Sequence, residues 1–223
     1  MKITDAAQQE KAGLEDVLIE LLYTRYPDLV FHGGTAIWRC YGGNRYSRDL
    51  DFYYKPKSPD EDSYKELIKF FKEAGFAMKG KNYNRETRTM QFLVEGSTKM
   101  KVDMNLGYKK GTDAEYTKVD GSRIVVISLT PEELLNEKMD AYEDKLHSKD
   151  QTKQPEAHDL YDIYFLTGII EGASTQSRKR AGALIKEIGD RQPGDMGSLG
   201  HMMLSGVAPT FKLMVEKIEK WAK

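Results

Sequence analysis

The chain has 223 residues, 39% hydrophobic and 31% charged, which excludes intrinsic disorder and is enough for one large or two small cored domains. Its single cysteine, Cys40, excludes an internal disulfide or a cysteine zinc cage and suits a reducing, cytosolic setting. The net charge of −1 is uneven: residues 31–130 hold 18 Lys/Arg against 13 Asp/Glu and the flanks 16 against 22, so a basic middle, suited to an anionic ligand or to plain solvation, lies between acidic ends.

Residues 6–24 carry Leu14, Val17, Leu18, Leu21 and Leu22 at helical spacing, which predicts a helix ending before Tyr26-Pro27. Leu29–Phe31 reads as a short apolar strand running into Gly33-Gly34, and Thr35–Tyr41 as a helix stopped by Gly42-Gly43. Leu50–Tyr54 is strand-like and closed by Lys55-Pro56, and residues 60–74, with Leu67, Ile68, Phe70 and Phe71 among charges, predict an amphipathic helix. From Phe76 to Ile127 the period shifts towards two. Met90, Phe92 and Val94 alternate with Gln91, Leu93 and Glu95; Met100, Val102 and Met104 alternate with Lys101, Asp103 and Asn105; Ile124–Ile127 is a last strand. Thr130, Pro131 and Glu133 then start a helix, and everything beyond is read as helical, with glycine-rich breaks near Gly168–Gly172 and Gly189–Gly200. The chain is therefore α+β, a mixed half followed by a helical half. Its longest apolar stretch, around Ile163–Ile170, is too short to span a bilayer.

Three features point to chemistry. Asp49 and Asp51 lie two apart in a strand and so project from one face, where two carboxylates repel unless a cation sits between them; oxygen-only ligation of this kind suits Mg²⁺. Asp103 stands on the polar face of another strand and serves equally as a third carboxylate or as solvated surface. Gly33-Gly34-Thr35, between a strand and a helix, describes a tight turn as well as a phosphate site at a helix N-terminus, and neither a Walker sequence nor an EF-hand loop is present. In the helix from Pro131, Lys138 falls inside the apolar stripe Leu134, Leu135, Met139, Tyr142 and Leu146, so it either snorkels or points to an anion. In "HDLYDIYFL" the stripe is Leu160, Ile163, Tyr164 and Thr167; Asp159 lies at its margin, Asp162 farther off, and a helix-surface acid is the default for both.

Together "HGGTAI", "RYSRDLDF", "NEKMDAYED" and "HDLYDIYFL" resemble the AbiEii/AbiGii-type nucleotidyltransferase toxins, a branch of the DNA polymerase β-like superfamily, over residues 31–166. The resemblance implies a polymerase β-like nucleotidyltransferase core; with the mixed-then-helical division of the chain this gives the core and its N-terminal helix over residues 1–128 and a helical domain over 129–223, of which residues 167–223 match no motif of the family. It implies that Gly33, Gly34 and Thr35 hold nucleotide phosphates, that Asp49 and Asp51 bind Mg²⁺, and that Ser47 contacts phosphate or orients the site. Lys138 would contact the phosphates, Asp159 would be a further active-site carboxylate, and Asp103 or Asp159 would take the acceptor's proton. The activity implied is NMP transfer from an NTP to RNA, tRNA above all, by a cytoplasmic toxin of a toxin–antitoxin or phage-defence system with a separately encoded antitoxin. Transfer to an antibiotic or metabolite hydroxyl, and a non-catalytic nucleotide- or RNA-binding protein, are the competing expectations. The stretch Lys79–Lys110, eight Lys/Arg against three acids with Tyr83 and Tyr108, is the expected RNA-facing surface.

Overall fold

Apolar side chains at every second position build a sheet with one buried and one open face, and that alternation shapes the first part of the chain. In the computed structural model, residue 3 and residues 5–57, 60–150 and 152–223 are described. They fall into two units, one running to Gly42 and resuming over Tyr46–Leu129, the other formed by Gly43–Arg45 and Thr130–Lys223.

The first unit holds α1 (Ala6–Arg25), β1 (Val30–His32), α2 (Gly33–Tyr41), β2 (Asp49–Tyr54), α3 (Asp60–Glu73), β3 (Ala77–Asn84), β4 (Thr89–Glu95), β5 (Lys99–Leu106), β6 (Thr112–Thr117) and β7 (Arg123–Ser128). The strands form one mixed sheet in the order β3-β4-β5-β2-β1-β7-β6. β2 runs parallel to β5 and antiparallel to β1, which in turn runs parallel to β7. The alternating strands appear as their spacing predicts. β3 and β6, which alternation does not reveal, are the two edge strands, where polar side chains guard unpaired backbone and blur the period.

Phe31, Phe52, Phe92 and Tyr116 point to the buried face, with Phe31 stacked on Phe52 at 5.2 Å and Phe71 of α3 lying 5.4 Å from Phe92. α1 adds Leu14, Leu18, Ile19 and Leu22; Val17, placed in the stripe by its spacing, faces solvent instead, and Ile19 takes the inner position. α2 begins at the glycines rather than at Thr35. The chain leaves extended His32 through Gly33 at φ 76°, a left-handed value that disfavours any Cβ, and closes with Gly42 at φ 73°.

Charge is also buried here. Arg39 lies between the rings of Trp38 and Tyr116, 4.6 and 4.8 Å from their centroids, and is paired with Asp16 of α1. Asp16 further accepts from Tyr116 Oη at 2.9 Å and from the Val119 amide at 2.8 Å. Its neighbour Glu15 is fully buried, and neither carboxylate oxygen has a hydrogen-bond partner. Burial pushes the Glu15 carboxyl up to about 8, with Arg39 and Lys11 pulling against it.

The second unit is helical: α4 (Pro131–Leu146), α5 (Ala157–Ile169), α6 (Thr175–Ile188), α7 (Met196–Met202) and α8 (Phe211–Ala222). Thr130 and Glu133 form the expected capping box, Thr130 Oγ1 accepting the Glu133 amide at 3.3 Å and the Glu133 carboxylate accepting the Thr130 amide at 2.8 Å. Leu134, Leu135, Met139 and Tyr142 are buried as their spacing predicts, while Leu146 at the last turn is only half-buried. The glycine-rich stretch near Gly189–Gly200 is not a continuous break, because α7 starts inside it at Met196. Among the described residues no helix is long and apolar enough to cross a membrane.

Two stability predictions come from the buried charges. Asp16→Ala leaves the Arg39 guanidinium buried without its carboxylate and is expected to cost about 3–5 kcal/mol in urea unfolding. For Glu15 the folded carboxyl holds its proton up to about pH 8 while the unfolded one releases it near its ordinary value of 4.5. The folded state therefore binds more protons across that window, and stability falls as pH rises through it, by up to about 1.4 kcal/mol per pH unit. Glu15→Gln is expected to remove this slope and to melt above the parent at pH 9; an unchanged slope would refute the assignment.

Candidate active site

The open face of the sheet carries the strand aspartates. Asp49 and Asp51 alternate with buried Leu50 and Phe52 on β2, so both project from that face. The β2–β5 register sets Asp49 beside Lys101 and Asp51 beside Asp103, while the β1–β2 register sets Asp51 beside His32. Asp51 and Asp103 are thus direct cross-strand neighbours, an arrangement that like charges disfavour without a cation.

Lys101 supplies positive charge there. Its Nζ donates to Asp103 Oδ2 at 2.6 Å. Burial would lower the Lys101 pKa, but Asp103, Asp49 and Asp51 together raise it, so the ammonium stays charged in the field of all three carboxylates. Asp103 Oδ1 is buried with no hydrogen-bond partner. With Asp51 across the sheet from Asp103 and Asp49 two residues along, the donors on this face are carboxylate oxygens, the type that suits a hard divalent cation.

Gly33 and Thr35 hold the edge of this face. A Cβ on Gly33 would run into the Asp51 carboxylate, 2.9 Å from its Cγ, so glycine is required both for space and for the left-handed backbone. Thr35 Oγ1 donates to the Asp49 carbonyl at 2.6 Å, which ties the first turn of α2 to the head of β2 and leaves backbone amides as that turn's means of meeting an anion. Ser47 is half-buried in the segment before β2. Farther along the face, His32 stacks on Tyr53 at 4.3 Å and accepts from Asn105 Nδ2 at 3.1 Å.

The second unit brings Lys138 and Asp159 together. Lys138 Nζ is 3.1 Å from Asp159 Oδ1 and 2.9 Å from Asp162 Oδ2. Asp162 receives a two-pronged contact from Arg45, Nε at 2.6 Å and Nη2 at 2.5 Å, and Asp159 also holds Lys145 Nζ at 2.6 Å. Burial alone would lower the Lys138 pKa, yet Asp162 and Asp159 more than reverse it. Burial alone would raise Asp159, yet Lys138, His158 and Lys145 hold it well below the usual carboxylate range. The expectation of surface acids on α5 is corrected: Asp159 is 3% and Asp162 0% exposed. The helix is apolar nearly all round, with Leu160, Tyr161, Ile163 and Leu166 buried, so an acid in it has little outer face to occupy. That uniform apolarity was the available signal for Asp162. Arg45, inside "RYSRDLDF", carried none beyond its place there.

Among the described residues, one group of three metal-competent side chains has ligand atoms within 4.8 Å of one another, and it is Glu156, His158 and Asp195 of the second unit. Asp195 Oδ1 there accepts the Ala157 amide at 2.8 Å, a structural duty at the start of α5.

No curated protein matches the chain. Among solved structures it is similar to JHP933 from Helicobacter pylori, at 18% identity and a TM-score of 0.66, covering 98% of this chain and 91% of that one. It is also similar to a second H. pylori protein, provisionally described as a nucleotidyltransferase, at 17% identity and a TM-score of 0.64, covering 96% and 93%. These likenesses support the mixed-sheet and helical fold. Residues 21–199 match the family described as "Nucleotidyl transferase AbiEii toxin, Type IV TA system", and the chain belongs to that family of nucleotidyltransferase toxins.

Proposed function

We propose that this toxin moves NMP from an NTP to a hydroxyl of RNA, with tRNA as the acceptor, in the cytoplasm, and that a separately encoded antitoxin restrains it. The observation that carries the reading is the open face of β2 and β5, where Asp49, Asp51 and Asp103 adjoin and Asp103 Oδ1 is buried without a partner. Asp49 and Asp51 would hold Mg²⁺. When bound, the ion would neutralise triphosphate charge and polarise the α-phosphate.

The chain's own groups do the remaining work. The amides of Gly34 and Thr35 at the start of α2 meet phosphate oxygens, helped by the absence of a side chain at Gly33, and Ser47 orients the segment leading into β2. The acceptor oxygen attacks the α-phosphorus, the bond to the β-phosphate oxygen breaks, and pyrophosphate leaves. The acceptor's proton passes to Asp103 Oδ1. Asp159 is a poor base, because the cations around it hold its carboxyl well below the usual range. Its part is to position Lys138. An ammonium has three N–H donors; Asp159 and Asp162 take two, and the third answers the charge of a phosphate.

Incubating the protein with Mg²⁺, each labelled NTP in turn and total RNA is expected to place label in tRNA. Asp49→Asn and Asp51→Asn should each reduce that transfer by at least about 100-fold with the far-ultraviolet circular dichroism unchanged. Label found only on an added small-molecule hydroxyl, and in no RNA fraction, would refute the RNA acceptor. Transfer at the parental rate by both variants would refute the site.

A further inference from the structure

β2 and β5 are parallel neighbours, with Tyr54 opposite Leu106, so the segments leaving their ends emerge side by side. One segment carries Lys55 and Lys57, the other Tyr108, Lys109 and Lys110. With Asp28 they line an open groove of about 730 Å³ in the first unit, four lysines against one acid. Gly111 fixes the second segment there, since a Cβ on it would lie 2.9 Å from Val30 Cγ1 and 3.0 Å from the Ser128 carbonyl.

Outside the groove, four of the six cations of the basic stretch are paired, while Lys81 and Lys99 have no ion pair among the described residues. Lys79 is paired with Glu95 at 2.8 Å, Arg88 with Asp60 at 2.9 Å, Arg85 with Glu61, and Lys101 with Asp103, so their charge is answered within the fold. Tyr83 is likewise occupied, donating to Asp60 at 3.1 Å. Among the described residues, Lys55, Lys57 and Lys110 have no ion pair. Tyr108 stands among them 70% exposed, with Lys55 Nζ 5.2 Å from its ring centroid. An exposed ring among uncompensated cations combines a stacking surface with an electrostatic track, the two elements by which proteins hold single-stranded nucleic acid.

The groove also connects with the carboxylate face. Tyr53 shares that face with Asp51, and Lys109 Nζ lies 5.4 Å from the Tyr53 ring centroid. Along β2, Asp51 and Lys55 are about 13 Å apart at the ordinary rise of a strand.

We propose that this groove binds the single-stranded end of the acceptor RNA, its phosphates on Lys55, Lys57, Lys109 and Lys110 and an unstacked base on Tyr108, and leads the terminal hydroxyl toward Asp51. The proposal rests on RNA being the acceptor. Binding of a fluorescent single-stranded RNA oligonucleotide to the full chain, measured by anisotropy across a salt series, tests it together with transfer kinetics. Lys57→Ala/Lys110→Ala should weaken binding and flatten the plot of log K against log salt by about 1.4, two contacts at about 0.7 each. Tyr108→Ala should weaken binding about tenfold with the slope unchanged. Both should raise KM for RNA while leaving KM for NTP as it was.

Equal RNA affinity and KM in all three proteins would overturn the groove while leaving RNA as the acceptor. Absence of label from RNA with the parent protein would mark failure of the acceptor reading itself. Polyglutamate competing as well as RNA, with Tyr108→Ala without effect, would show a surface that reads only negative charge and would also overturn the proposal.

Discussion

Mutual repulsion among carboxylates on one sheet face is the constraint around which the first unit is organised. Asp51 and Asp103 are paired across two parallel strands, and Asp49 stands two residues from Asp51 on the same face. Such a face is stable only with positive charge near it. Lys101 provides that charge, bonded to Asp103 and raised in pKa by all three acids against the effect of its own burial. The apolar face behind them, with Phe31, Phe52 and Phe92, fixes the strand positions from which these acids project. Gly33 keeps the start of α2 clear of Asp51, and Thr35 fastens that turn to β2. A face on which three carboxylates outnumber the one ammonium bonded among them is suited to receiving a further cation.

The second unit solves the opposite problem. Two carboxylates and an ammonium are buried together, and each is charged because the others are. Removing both partners of a buried pair can be neutral, whereas removing one strands a charge, so the network of Arg45, Lys138, Lys145, Asp159 and Asp162 is constrained as a set. In the proposed chemistry this gives Asp159 a positioning duty through Lys138 and leaves proton transfer to Asp103. The same contrast separates the acids by role: Asp103 keeps an unclaimed oxygen, while both oxygens of Asp159 are taken.

The fold was legible wherever burial is one-sided. Alternation marked β4 and β5, an apolar run marked β7, and the capping box marked α4, because each depends on neighbours in sequence. β3 and β6 were not legible, since edge strands have no strict inner face. Among the expected site residues, the helix stripe singled out Lys138, but its pairing with Asp159 and Asp162, and the part of Arg45, were not legible, because a wheel drawn for one helix assigns a charge to solvent when its partner lies elsewhere in the chain. Likewise, charge counting marked Lys79–Lys110 as one basic stretch, although ion pairs neutralise much of it, and the fold sets its last two lysines beside Lys55 and Lys57 in a single groove.

Two sets of side chains compete for a metal, the strand-face aspartates and the Glu156–His158–Asp195 group. Mn²⁺ titration followed by electron paramagnetic resonance, in the presence of a non-hydrolysable NTP, distinguishes them. Asp51→Asn is expected to weaken Mn²⁺ binding at least about tenfold while Glu156→Gln leaves it unchanged. Parental Mn²⁺ affinity in Asp51→Asn together with its loss in Glu156→Gln would contradict the central claim.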